Sequence, residues 1–254
     1  MITTVTAVSC STYSASSRRG AASKAEVRVD DLEHPREPAP RLVFFDLDGT
    51  ISRRDTLFGY VAGFARRHQT RLPRYLAVLP ALVGYALGIR DRGYLKGALL
   101  HAVMGGARRD EIQAWTDEYV PKLIAQGVFE DALGAIRKHR DAGDHLVLMT
   151  ATVDLYVPEL ARALGFDAYL CSRVSWREDR LEGWLASPNM RDEEKASALR
   201  RTVVKFPGRR LIGYGDSAPD LPHLKLVDHA VLINAGKSLR KAAAGLPVEF
   251  KYWL

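Results

Sequence analysis

Leu42-Val43-Phe44-Phe45-Asp46-Leu47-Asp48-Gly49-Thr50 is the stretch that decides the reading of this chain. Its uninterrupted apolar run suits a short strand buried on both faces, and Gly49 supplies the turn that ends it. Two carboxylates two residues apart, at the mouth of a buried strand, repel each other unless a cation sits between them. A hard divalent ion such as Mg2+ favours such oxygens. Asp-x-Asp alone could be a polar loop. Asp-Leu-Asp-Gly-Thr directly after a β run points instead to a site built for phosphate chemistry.

Outward from that stretch the pattern alternates. A helical region is expected over 53–127, and a helix over 130–142 that stops at Gly143. A second apolar strand, 145–149, ends at Thr150. A helix over 153–164 stops at Gly165, and strand 168–174 leads into a hairpin around Glu178-Asp179-Arg180. A helix over 192–204 precedes strand 211–214, which runs into Gly215-Asp216-Ser217. A short helix, strand 229–233 and a last helix close the chain. Repeated βα units imply an α/β fold, a Rossmann-like parallel sheet with helices on both faces. Ligands in such sheets lie at the carboxyl ends of strands. Asp46, Thr150 and Asp216 all stand at such ends, so the sequence brings them to one pocket.

The chain has 254 residues, 47% of them apolar, which is enough for one large domain or a domain with an insert. Residues 1–40 are rich in Ser, Thr and Ala, then in charge and proline, and read as a disordered tail. A catalytic core over 41–52 and 136–254 would then enclose a helical cap over 53–135. The net charge of +7 is unevenly placed. Arg53, Arg54, Arg66, Arg67, Arg71, Arg74, Arg90 and Arg92 face only Asp55 and Asp91 across 53–92. An anionic substrate or an anionic membrane surface would account for this excess, as would a solvated basic face. No recognition motif or aromatic–basic alternation supports nucleic acid. Cys10 and Cys171 lack metal or redox spacing, and the N-terminus lacks the apolar core of a signal peptide. Both features fit a cytoplasmic protein, with a membrane-peripheral location as the alternative.

Four motifs stand in order: Asp46-Leu47-Asp48-Gly49-Thr50; Thr150 after a strand; Lys195 within Asp192-Glu193-Glu194-Lys195; and Gly215-Asp216-Ser217-Ala218-Pro219-Asp220. Over about 41–240 the chain resembles phosphatases of the haloacid dehalogenase superfamily. The resemblance implies a Mg2+-dependent phosphomonoesterase with Asp46 as nucleophile and Asp48 as acid and base. It implies metal ligation by Asp46, the Asp48 backbone carbonyl and Asp216. Thr150 and Lys195 would contact the phosphoryl group, and Asp220 would orient Lys195 or hold a metal-bound water. The residue types agree with these roles. Taken singly, Lys195 could be a solvent-facing lysine, Thr150 a strand end and Asp220 a helix cap.

Asp46 and Thr150 stand roughly a hundred residues apart, whereas Thr150 and Lys195 are close, so the insert follows the first motif. Its helical character resembles the helical-cap branch that includes phosphoserine phosphatase. That resemblance implies substrate contacts from Asp55, from Lys96, and from Ala151 beside Thr150. Lys96 stands where that branch has an arginine for the substrate carboxylate, and lysine lacks the arginine fork. Residues 75–89 carry no charge and are flanked by arginines. The stretch falls short of the ~20 residues of a membrane span. It reads either as a buried cap helix or as a segment lying on lipid. In this it resembles bacterial helical-cap phosphatases acting on phosphatidylglycerophosphate. A phosphotransferase, and a non-catalytic membrane-surface or partner-binding module on a phosphatase fold, remain alternatives.

Overall fold

The computed structural model describes residues 40–68, 74 and 76–254. The expected tail, apart from Pro40, lies outside the described residues, as do Arg71 and Tyr75. Six strands form the main sheet: β1 (Leu42–Phe45), β2 (His145–Val153), β3 (Ala168–Ser172), β6 (Leu211–Gly215), β7 (His229–Ile233) and β8 (Val248–Lys251). Their spatial order is β3-β2-β1-β6-β7-β8, and every neighbouring pair is parallel. This is the Rossmann-like sheet expected from the alternating pattern. All four β1 side chains are fully buried, as a central strand covered on both faces requires.

The order places the topological switch between β1 and β6. The chain leaves β1 toward β2 and β3, then returns to β6 on the other side. Phe45 pairs with Tyr214 in register, and the Asp46 N–H donates to the Tyr214 carbonyl at 3.0 Å. The residues that follow the two strands therefore emerge side by side.

Between β1 and β2 the described chain is helical: α1 (Thr56–Arg67), α2 (Leu79–Ala86), α3 (Arg92–Met104), α4 (Arg109–Gly127) and α5 (Glu130–Asp141). The expected helical region is thus broken at identifiable points. Asp55 caps α1 by accepting the Phe58 N–H at 2.9 Å, and Asp91 caps α3 by accepting that of Tyr94 at 2.7 Å. Gly106, at φ +84°, turns the chain after α3. The hairpin β4 (Val174–Arg177) and β5 (Arg180–Leu185) folds onto α3. Gly97 leaves room there for the Trp184 ring, and Gly183 lies against the His101 backbone. The last helices are α6 (Val157–Leu164), α7 (Glu193–Val203), a 3-10 turn (Ala218–Asp220) leading into α8 (Leu221–Leu224), and α9 (Lys237–Ala242).

Three expectations about elements need correction. β2 runs on to Val153, so Thr150 lies within it, although its pairing with β3 shifts between Met149 and Val153. The strand expected over 168–174 divides at Arg173, where the chain leaves the sheet for the hairpin. The sequence reading missed β8 altogether. It is a four-residue edge strand whose only signal is the alternation Val248, Glu249, Phe250, Lys251.

A buried polar cluster ties the base of the sheet together. Asp144 accepts the Arg41 N–H and Nε at 2.9 Å and Arg41 Nη2 at 2.6 Å. His139 Nδ1 lies 2.7 Å from Asp144, and His139 Nε2 lies 2.9 Å from the Tyr214 hydroxyl, whose ring stacks on Phe45. Burial pushes the His139 pKa down. Burial opposes the Asp144 charge, but the Arg41 and His139 hydrogen bonds outweigh it and hold its carboxyl below the usual range. Both groups therefore stabilise the fold above their unfolded pKa values, about 6.5 and about 3.9, and that contribution is lost as pH falls. The stability that this cluster contributes, read as the difference in urea unfolding between the wild type and Asp144→Ala, should shrink as pH falls below ~4. Asp144→Ala strands Arg41 and His139 and should cost about 3 kcal/mol at neutral pH by urea unfolding.

Candidate active site

At the carboxyl edge of the sheet, Lys195 lies in the first turn of α7 and is only 2% exposed. Its Nζ donates to Asp46 Oδ1 at 2.5 Å and to Asp220 Oδ1 at 2.7 Å. The other Asp220 oxygen accepts the Ser217 N–H at 3.1 Å and the Ser217 hydroxyl at 2.8 Å. Asp220 thus orients Lys195 while it closes the turn that opens α8. Burial works against the Lys195 charge, but Asp46 and Asp220 outweigh it and raise its pKa. Burial likewise opposes the Asp220 charge, and Lys195 holds that carboxyl low. For Asp46 burial prevails over Lys195 and pushes the carboxyl up. One ammonium does not compensate this many buried carboxylates.

Asp216 follows β6 and stands beside Asp46. Oxygens of Asp46, Asp216 and Asp220 all lie within 4.8 Å of one another. Burial, with the Asp220 charge, pushes Asp216 up to about 7. Lys195 is the one cationic side chain within hydrogen-bond reach of this trio among the described residues. Three converging carboxylates and one ammonium form an all-oxygen donor set of net negative charge, which fits a hard divalent cation. Gly49 makes the close approach possible. It adopts φ +87°, and a Cβ there would lie 2.2 Å from Asp216 Oδ2.

Asp48 is anchored by the start of α1. Its Oδ1 accepts the Thr56 N–H and the Thr56 hydroxyl, each at 2.7 Å. Burial pushes its carboxyl up to about 6 against the Thr56 hydrogen bonds, and the Asp55 charge adds to the rise.

These groups line a cleft of about 350 Å³. Asp46, Asp48, Lys195 and Asp220 lie on its core side. Asp55, Tyr85, Arg92 and Lys96 come from the inserted helices, and Asn189 and Arg191 from the segment before α7. Lys96 Nζ donates to the Ala151 carbonyl and to Asn189 Oδ1, the latter at 2.7 Å, and burial lowers its pKa to about 8. Asp55 both caps α1 and reaches the cleft. Thr150 is fully buried beneath Ala151 and Thr152, which do line the cleft, and its Oγ1 accepts the Thr152 N–H at 3.1 Å. Sequence reasoning missed Thr56, Arg92, Asn189 and Arg191. Asp55-Thr56 at a helix start was a signal for the first, and Arg92 was counted only as charge. Asn189 and Arg191 stand in no motif.

Known proteins share this fold and the stretch that carries these motifs. A model of the haloacid dehalogenase-like hydrolase family matches residues 43–225. Protein CicA of Caulobacter vibrioides is 33% identical over 199 residues, covering 74% of this chain and 84% of CicA. Phosphoserine phosphatase SerB1 of Mycobacterium tuberculosis is 27% identical over 205 residues, covering 79% of this chain and 67% of SerB1. A phosphoserine phosphatase solved as a phospho-aspartyl intermediate analogue shares the fold, with a TM-score of 0.58 at 16% identity over 83% of this chain and 93% of its own. The chain belongs to the haloacid dehalogenase-like hydrolase family and is an enzyme of its phosphatase kind.

The contact between Gly49 and Asp216 can be tested directly. Gly49→Ala should displace Asp216 and lower turnover of p-nitrophenyl phosphate roughly a hundredfold, because misplacement by about 1 Å costs that much. The melting temperature, read alongside, should fall by only a few degrees, as expected of about 1–2 kcal/mol of strain.

Proposed function

We propose that the protein hydrolyses phosphomonoesters in a Mg2+-dependent reaction that carries the phosphoryl group on Asp46. The observation that carries this reading is the buried Lys195 ammonium held between Asp46 and Asp220 at the carboxyl edge of a parallel sheet. Phosphoryl transfer asks the protein chiefly to position and neutralise charge. An Asp46 oxygen attacks phosphorus and forms an acyl phosphate. The bond from phosphorus to the leaving oxygen breaks, and Asp48 gives that oxygen its proton. Asp48 then takes a proton from water as the water oxygen attacks phosphorus. The acyl phosphate bond breaks, inorganic phosphate departs and Asp46 is restored. A carboxyl pushed up to about 6 suits this exchange in both directions near neutral pH. Lys195 neutralises one phosphoryl oxygen, whereas Thr150, buried beneath the cleft lining, could meet the group only if Ala151 and Thr152 gave way. Mg2+, when bound, would be held by Asp46, Asp216 and the Asp48 backbone carbonyl and would offset charge on the phosphoryl oxygens.

Asp46→Asn should lower hydrolysis of p-nitrophenyl phosphate by at least about a thousandfold, with the circular dichroism spectrum unchanged. EDTA should silence the wild type, and added Mg2+ should restore it. Turnover indifferent to chelation would remove the metal from the scheme.

The substrate has two supported classes. The phosphoserine phosphatases among the relatives favour a small phosphorylated metabolite, with Asp55 and Lys96 contacting it. An exposed apolar segment favours a phosphomonoester borne on an anionic lipid surface. Val83, Leu87 and Ile89 are 56, 67 and 70% exposed, and Leu76, Leu79 and Leu82 are exposed too. The exposed Arg66, Arg67, Arg74, Arg90 and Arg92 surround this segment in sequence, as expected of an interfacial element. Tyr85 of the same helix lines the cleft. No helix among the described residues is long and apolar enough to cross a membrane. If the segment docks on lipid, the protein should sediment with equimolar phosphatidylcholine and phosphatidylglycerol vesicles. High salt should release it, since screening shortens to ~3 Å at 1 M. A triple change of Leu82, Leu87 and Ile89 to Ser should weaken sedimentation about tenfold or more and spare turnover of p-nitrophenyl phosphate. Sedimentation unaffected by the triple change would return the segment to a packing role.

A further inference from the structure

Asp48 is held at one oxygen only. Oδ1 accepts the Thr56 N–H and hydroxyl at 2.7 Å each, and no hydrogen bond reaches Oδ2 among the described residues. A hydroxyl carries a single hydrogen. Thr56 spends its hydrogen on Asp48, so the Tyr156 hydroxyl, 2.8 Å from Thr56 Oγ1, must be the donor in that pair. The Tyr156 oxygen is then the acceptor for the Thr152 hydroxyl at 2.6 Å. The direction of the chain is thereby fixed: Thr152 donates to Tyr156, Tyr156 to Thr56, and Thr56 to Asp48. Thr56, Thr152 and Tyr156 are all buried, and no competing donor or acceptor is hydrogen-bonded to the Tyr156 hydroxyl among the described residues.

The Tyr156 ring has little freedom. Tyr60 of α1 stacks on it at 4.5 Å, and Tyr119 of α4 meets its edge at 5.5 Å. The Tyr119 hydroxyl also donates to the Thr56 carbonyl at 2.7 Å. Tyr156 comes from the segment between β2 and α6, and Thr56 from the first turn of the insert. The phenol therefore joins the sheet to the helix start that grips Asp48.

We infer that Tyr156 is a positioning residue for the proton transfer. Its hydroxyl, acting through Thr56, fixes the Asp48 carboxyl so that Oδ1 is the accepting oxygen and Oδ2 the one that carries the acid proton. In the first half-reaction the Oδ2–H bond breaks as the leaving oxygen gains that proton. In the second, Oδ2 takes a proton from the attacking water. Tyr156 keeps its own hydrogen throughout. The inference rests on the reading of Asp48 as acid and base in the proposed phosphatase reaction.

A leaving group that needs no proton separates positioning from general damage. kcat/KM reports the transfer to Asp46, the half-reaction in which the leaving group departs. Tyr156→Phe removes the hydroxyl and keeps the ring between Tyr60 and Tyr119. With glycerol 2-phosphate, whose alkoxide must be protonated, it should lower kcat/KM about tenfold, the effect of one buried hydrogen bond. With p-nitrophenyl phosphate, whose phenolate leaves without help, the loss should stay within about twofold. Thr152→Val, at the far end of the chain, should shift the same ratio in the same direction and guards against a poorly folded first variant. In an Asp48→Asn background Tyr156→Phe should cost nothing further on glycerol 2-phosphate, because the two would act through one group.

Equal losses on both substrates, or losses that multiply with Asp48→Asn, would assign Tyr156 to packing and overturn the inference. So would no loss on either substrate. Glycerol 2-phosphate turnover unharmed by Asp48→Asn would overturn the acid–base reading itself. A harmful Asp48→Asn beside a harmless Tyr156→Phe would overturn only the role given to Tyr156.

Discussion

A single ammonium organises this site. Lys195 is buried, and a lysine is rarely buried without carboxylates to meet it. Asp46 and Asp220 meet it from two different strand ends, so the ion pair closes only when β1 and β6 are adjacent and α7 is seated against both. The sheet order supplies that adjacency. The switch of direction between β1 and β6 leaves a crevice above their carboxyl ends, and the charged groups fill it. Much of the rest follows from the resulting imbalance. Asp46, Asp48 and Asp216 all carry raised pKa values in this crevice, and burial is the first cause in each case. The crevice is thus short of positive charge, and a divalent ion would supply part of what it lacks.

The parts legible in the sequence are those where one residue type has one physical use. An apolar run ending in Asp46 had to be a buried strand with a carboxylate at its mouth. Gly215-Asp216 after another such run placed a second carboxylate at a strand end facing the same pocket, whereas the adjacency of the two strands comes from the sheet order. Lys195 was weaker evidence, since a lysine after two glutamates reads as solvent-facing until its depth is known. What the sequence could not carry was position without periodicity. Asn189 and Arg191 lie in an irregular segment, and their place in the cleft depends on how the β4–β5 hairpin folds over α3. β8 has too few residues for its alternation to stand out. The apolar stretch 75–89 read first as a buried cap helix and second as a segment on lipid, because composition fixes how apolar a helix is and not what covers it. Exposure of Leu87 and Ile89 is a tertiary fact.

The cleft is chemically divided. Its core side is carboxylate-rich around a single lysine, and the opposite side brings Arg92 and Lys96 from the inserted helices and Arg191 from the segment before α7. On the proposed reading a phosphate ester crossing this gap would meet Asp46 and Asp48 on one side and these cationic groups on the other. The cations on the far side are poor candidates for chemistry, since none of them donates to Asp46 or Asp48 among the described residues. On the proposed reading they would select for anionic or hydrogen-bonding groups on the rest of the substrate. Lys96 is partly committed to the Ala151 carbonyl and Asn189, so a substrate that uses it must compete for the ammonium or share it.

This division explains why the insert cannot be a passive lid. A lid that only covered the cleft could attach through apolar packing at its hinges. Here the first turn of the insert holds the Asp48 carboxyl through two hydrogen bonds from Thr56, and Tyr60 of α1, buried, and Tyr119 of α4, half-buried, pack against Tyr156 behind it. Asp48 therefore follows a strand of the sheet by sequence and is held by the first turn of the inserted helices through its hydrogen bonds. Any motion of α1 relative to β1 would change the geometry of Asp48 before it changed that of Asp46, which is tied to Lys195 and the Tyr214 carbonyl instead. The two carboxylates are thus held from different elements, Asp46 by Lys195 of α7 and the β6 backbone and Asp48 by the first turn of α1. On the proposed reading the alignment of the two depends on how α1 sits against the sheet, and the hydroxyl chain from Thr152 to Thr56 spans that joint.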